Sequence, residues 1–131
     1  MTIPDLLRDL VRLPSVNPMG RAANPDICLE LRVTDFLEAF FRDLDVPYER
    51  QPVAPGRDNI VAHFIAPSGG RTLVLEAHQD TVPVDNMIVD PFAGRIDGNR
   101  LYGRGSCDIK GGMTAMLAAF ARLARERTPT A

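Results

Sequence analysis

The chain has 131 residues, enough for one domain with a single core. Its 45% hydrophobic and 24% charged residues place it among ordinary globular chains rather than disordered ones. With 15 basic and 17 acidic residues the formal charge is −2, which leaves no cationic excess for nucleic acid.

Asp5, Arg8, Asp9 and Arg12 interrupt the apolar residues of the N-terminus, which is not the pattern of a secretory signal. No run approaches the ~18 apolar residues of a membrane span. Pro4 to Leu13 is expected to be a helix, with Pro4 in the first turn and Leu6, Leu7, Leu10 and Leu13 on one face. A breaker-rich loop follows, from Pro14 to Gly20. Asn24 as cap and Pro25 at the first position then predict a second helix to about Asp43. Its buried stripe would be Leu29, Val33, Phe36, Leu37, Phe40 and Leu44.

The period then changes. Tyr48–Val53 and Asn59–Ile65 read as strands, with a later turn at Pro67-Ser68-Gly69-Gly70. Thr72 to Ala77 is a near-continuous apolar run, the pattern of a strand covered on both faces. A hairpin is expected over Arg95–Tyr102, turning at Asp97-Gly98. The last helix should run from Gly112 to about Glu126, with Met113, Met116, Leu117, Phe120 and Leu123 facing the core. The elements predict an α/β domain, with helices flanking a mixed, largely buried β-sheet. Cys28 and Cys107 are far apart and follow no metal or redox spacing, consistent with a reduced, cytoplasmic protein.

Two clusters carry chemistry. The apolar run ends at His78-Gln79-Asp80, and residues two apart on a strand share a side, so His78 and Asp80 can converge. A carboxylate that accepts from one ring nitrogen of a histidine fixes its tautomer, as a metal ligand needs. On its own such a pair is more often a surface or capping pair. The second cluster is Leu101 to Gly112, where Asp108 has two glycines before it and two after. It leads into a helix, whose N-terminal amides favour nearby negative charge, so an Asp there could bridge two cations. It could as well simply cap the helix. A dinucleotide fingerprint would need glycine where Asp108 stands, and a Walker loop would need Ser or Thr after its lysine, where this chain has Gly111. His63 and Glu76 carry no functional reading. Cys107 is expected to be a packing residue and Arg104 a member of a structural ion pair.

Ala77-His78-Gln79-Asp80-Thr81-Val82-Pro83-Val84, Asp90-Pro91-Phe92, Asp97-Gly98 and Leu101 to Met113 resemble the two signature stretches of M20 metallohydrolases, and Leu13 to Pro18 resembles the usual family opening. The resemblance implies that His78 binds one metal, that Asp80 orients His78, and that Asp108 bridges both metals, with a cis Asp108–Ile109 peptide. It implies two zinc ions per complete site, with cobalt or manganese compatible, since imidazole and carboxylate ligands accept several such ions.

The implied activity is hydrolysis of an amide bond in an N-acyl amino acid or small peptide. No nucleic acid or membrane partner is expected, and the full-length protein would be a homodimer. Residues 1–131 would then be the N-terminal portion of the catalytic domain. They would end before the remaining ligands, the Glu-Glu pair that supplies the general base, and the dimerisation domain. Such a chain is expected to be inactive alone. The alternative is a non-catalytic remnant or binding module of the same fold. A Trp common near Met87 in relatives is absent, which bears on the rim of the cleft.

Overall fold

The computed structural model describes residues 2–65 and 70–126. In chain order they form helix α1 (Ile3–Val11), helix α2 (Leu31–Asp43), strands β1 (Tyr48–Ala54) and β2 (Arg57–Ala62), strands β3 (Arg95–Asp97) and β4 (Arg100–Tyr102), and helix α3 (Lys110–Glu126). This is an α/β arrangement of three helices with two separate antiparallel hairpins.

Helix α1 starts at a capping box: the Thr2 hydroxyl accepts from the Asp5 amide while the Asp5 carboxylate accepts from the Thr2 amide. Leu6 and Leu10 of α1 meet Val33, Leu37 and Phe41 of α2 and Met113 and Leu117 of α3 in one core. Phe41 and Phe120 pack edge to face with centroids 5.8 Å apart. The β1–β2 hairpin lies against α2 and adds Tyr48, Ile60 and Ala62 to this core. Arg50 of β1 clamps the two together, donating to Asp35 and Glu38 of α2 and to Asp58 of β2 at 2.7 to 3.1 Å. Those three carboxylates raise the Arg50 pKa further, Glu38 first.

Five sequence expectations change. Helix α2 begins at Leu31, not after Asn24. Asn24 caps only a single turn, accepting from the Asp26 amide at 2.9 Å. The chain then breaks because Cys28 bridges Val16 and Leu29 adopts φ +68°. Strand β2 stops at Ala62, short of Ile65.

The largest departure is the run Thr72–Ala77. It joins no ladder among the described residues, and Leu73 and Val74 are 79% and 76% exposed. The described residues therefore form no mixed, buried sheet. An inner strand needs a hydrogen-bonded neighbour on each edge, and β1 and β2 pair only with each other. The next bridge among the described residues comes four residues past the run, where Thr81 pairs with Val16. Finally, Cys107 is exposed rather than packed. Arg104 makes none of the ion pairs among the described residues, and its Nε is buried without a partner.

The hairpin over Arg95–Tyr102 forms as expected, with Asp97 paired to Arg100 and Gly98-Asn99 at its tip. The turn expected at Pro67-Ser68-Gly69-Gly70 falls, except for Gly70, outside the described residues.

Candidate metal centre

The segment after the apolar run is held in place by the loop that follows α1. Ser15 Oγ donates to the Gln79 carbonyl at 2.8 Å, the Thr81 amide donates to the Ser15 carbonyl at 2.9 Å, and the Asn17 amide donates to the Thr81 carbonyl at 2.8 Å. Gln79 secures the segment from the opposite side. Its Oε1 accepts from Thr34 Oγ1 of α2 and its Nε2 donates to the Asp58 carbonyl of β2, both at 2.9 Å. With Gln79 turned inward, its neighbours His78 and Asp80 both turn outward, as alternation in an extended segment requires.

Asp108 arrives by a different route. Its loop is pinned at one side by the Arg104 amide, which donates to the Pro91 carbonyl at 2.7 Å. At the other side Lys110, 1% exposed, donates from Nζ to the carbonyls of Leu10 and Leu13 at 3.0 and 2.7 Å. Burial pushes the Lys110 pKa down to about 8. Two glycines are required by this path. Gly105 has φ +82°, and a Cβ there would meet Thr81 Cγ2 at 2.8 Å; a Cβ on Gly111 would meet the Ser106 carbonyl oxygen at 2.6 Å. The Asp108–Ile109 peptide is cis.

The two routes meet at a cleft of about 150 Å³ lined by Asn17, Met19, His78, Asp80, Thr81, Val82 and Asp108. His78 Nδ1 lies 3.0 Å from Asp80 Oδ1 and 2.9 Å from the Asp80 carbonyl. Both neighbours are acceptors, against one facing Nε2, so the contacts favour the neutral tautomer with its proton on Nδ1 and its lone pair on Nε2. Nε2 faces Asp108 Oδ1 at 3.3 Å. Two electron-rich atoms at that distance call for a positive charge between them, from a proton or from a cation. Burial alone would lower the His78 pKa, but the Asp80 carbonyl and the Asp108 carboxylate outweigh it and the net direction is up. The Asp108 side chain is 81% exposed, leaving its other oxygen free for a further ligand.

All three expected site residues are thus brought together. Among the described residues no group of three or more His, Cys, Asp or Glu side chains is arranged to hold a metal ion. The donor set present, one imidazole nitrogen and one carboxylate, fits part of a zinc-type coordination shell. Asn17, Gln79 and Lys110, which support the site, were not singled out from sequence.

Residues 74–131 match the sequence profile of Peptidase family M20/M25/M40. The chain is 36% identical over 121 residues to a succinyl-diaminopimelate desuccinylase of Methylocella silvestris, covering 90% of this chain and 29% of that protein. It is 37% identical over 116 residues to the corresponding protein of Methylobacterium radiotolerans, covering 87% and 28%, respectively. To that of Rhodospirillum centenum it is 35% identical over 130 residues, covering 96% and 31%. By these matches the chain resembles the M20 family over most of its length.

This chain spans about three tenths of the length of the curated relatives it matches. The profile match covers His78, Asp80 and Asp108, while α1, α2 and the Ser15–Asn17 loop lie outside it. No helix of the described residues is long and apolar enough to cross a membrane.

Proposed function

We propose that this chain is the N-terminal portion of the catalytic domain of a two-metal M20 amidohydrolase that removes an acyl group from an N-acyl amino acid or small peptide. The observation that carries the reading is the convergence of His78 Nε2 and Asp108 Oδ1 at 3.3 Å, with Nδ1 tied back to Asp80. His78 would hold one metal, Asp108 would bridge it to a second, and Asp80 would keep the imidazole in the tautomer that leaves Nε2 free. Zinc at such a site polarises an amide carbonyl and makes water a nucleophile near neutral pH. The protein's own contribution is a fixed ring, a loop that presents Asp108, and a cleft floor from Asn17 and Thr81.

Taking a proton from the attacking water and passing it to the leaving nitrogen needs a general base, and among the described residues no carboxylate beyond Asp80 and Asp108 lines the cleft. The reading therefore assigns that group, the remaining ligands, the strands that would flank Thr72–Ala77 and the dimerisation domain to further sequence. The relatives' printed name makes an N-succinyl amino acid the first substrate to try. The test is an assay of the 131-residue chain and of the longest in-frame product for zinc-dependent release of free amine from N-succinyl and N-acetyl amino acids. Turnover by a longer product only is expected. Turnover by the 131-residue chain, or none by a longer product that carries a Glu-Glu pair and a further His, overturns the reading.

A further inference from the structure

The arrangement that fixes His78 does not end at Asp80. Asn17 Nδ2 donates to Asp80 Oδ2 at 2.8 Å, while Asp80 Oδ1 faces His78 Nδ1 at 3.0 Å. Each oxygen of the Asp80 carboxylate thus has its own partner, and the carboxylate plane is set by two contacts rather than one. Asn17 is itself fixed at three points. Its amide donates to the Thr81 carbonyl at 2.8 Å, its Oδ1 accepts from the Met19 amide at 2.9 Å, and that second bond leaves Nδ2 as the group facing Asp80. The side chain's two ends are therefore not interchangeable: turned over, it would set a carbonyl oxygen against a carboxylate and an NH2 against an N–H.

We propose that Asn17 is a positioning residue for the candidate metal centre: it locks the Asp80 carboxylate and, through it, the tautomer and orientation of His78. The chain of contacts runs Asn17–Asp80–His78–Asp108, and only its last gap, 3.3 Å between Nε2 and Oδ1, is open for a cation. Without Asn17 the Asp80 carboxylate is free to swing, and only the Asp80 main-chain carbonyl, 2.9 Å from Nδ1, still favours the proton there. This rests on the metal-site reading above, but its first consequence, the tautomer, is present with no metal added.

The experiment is nitrogen–proton correlation spectroscopy of the His78 ring in the metal-free 131-residue chain, at a pH where the ring is neutral. Only His63 and His78 contribute, so assignment is direct. The unsubstituted chain is expected to show a single tautomer with the proton on Nδ1. Asn17→Ala and the isosteric Asn17→Asp should each give averaged nitrogen shifts, a tautomer mixture. Asn17→Asp keeps an oxygen for the Met19 amide but sets a carboxylate against Asp80, so retention of the fold in both single variants is checked by the dispersion of their amide resonances. The double variant Asn17→Asp/Asp80→Asn restores a donor–acceptor pair with its polarity reversed and leaves an oxygen for Nδ1; it should return the single tautomer.

A zinc titration followed on the same resonances should show affinity roughly ten-fold weaker for the single Asn17 variants, as for other groups that orient a ligand. An unchanged tautomer in both single variants, or no recovery in the double variant, overturns the role of Asn17. If zinc leaves the His78 resonances of the unsubstituted chain unmoved while the tautomer responds to Asn17, His78 and Asp108 do not hold zinc by themselves and the positioning role stands.

Discussion

Leu10 and Val74 are both apolar, yet Leu10 is completely buried and Val74 is 76% exposed. The first belongs to a helix that satisfies its own backbone and needs only two neighbouring stripes, from α2 and α3, to cover its side chains. The second belongs to a run whose backbone amides and carbonyls need strands on either side, and the described residues supply none. Composition therefore does not decide which apolar segment forms the core; the availability of a partner does. The same contrast explains why the candidate centre is well supported from the α1 and α3 side, through Lys110 and Ser15, although the run leading into His78 is bare.

The largest effect is expected from breaking the helical side. Leu10→Ala removes a fully buried side chain from the junction of three helices and should cost about 3 kcal/mol of unfolding free energy. Val74→Ala should stay within about 0.5 kcal/mol, because it removes surface that water already covers. Urea unfolding of the two variants checks both. Equal losses would mean that the run is packed in solution, and the comparison would collapse.

Lys110 offers the next test. Lys110→Met keeps the length of the side chain but withdraws both donors, leaving the Leu10 and Leu13 carbonyls at the end of α1 without them; about 2 kcal/mol should be lost. The same residue gives a pH dependence. Its folded-state pKa of about 8 lies below the ordinary 10.5, so between those values the unfolded chain binds more protons than the folded one. Stability should therefore rise with pH from about 8 to 10.5, and Lys110→Met should flatten that slope. A slope that survives the substitution would assign it to another group.

How much of this was legible in the sequence follows the range of the interactions. The helices were readable because a 3.6-residue apolar period and a proline in the first turn are local signals, and α1 and α3 lie within a few residues of their expected limits. The shared side of His78 and Asp80 was readable from alternation. The start of α2 was misplaced because the pairing that breaks the chain, Val16 with Cys28, is not a local signal. Asn17 and Lys110 were missed for the same reason: their partners lie 63 residues away for Asn17 and 97 and 100 for Lys110. Asn17 read as one more breaker in a Pro-rich loop, and Lys110 was weighed only as the lysine of a Walker loop. Being the only lysine in a chain otherwise served by arginine was the one hint that Lys110 is special. An arginine fork would not fit where a compact ammonium meets two carbonyls.

The smallest change in stability, and the sharpest view of the bare side, should come from Val74→Lys. A charge in the middle of Leu73, Val74 and Leu75 lies on surface that is already solvated, so unfolding free energy should again move by no more than about 0.5 kcal/mol. Self-association should respond far more. An apolar segment with unpaired backbone groups is a template for pairing with a second copy, and a lysine within it opposes that pairing by repulsion and by the cost of burying its charge. Sedimentation velocity across a range of concentrations should therefore show association in the unsubstituted chain and a monomer in Val74→Lys. Association of equal strength in both would place the contact elsewhere, and the exposed run would then be covered by something other than its own edge.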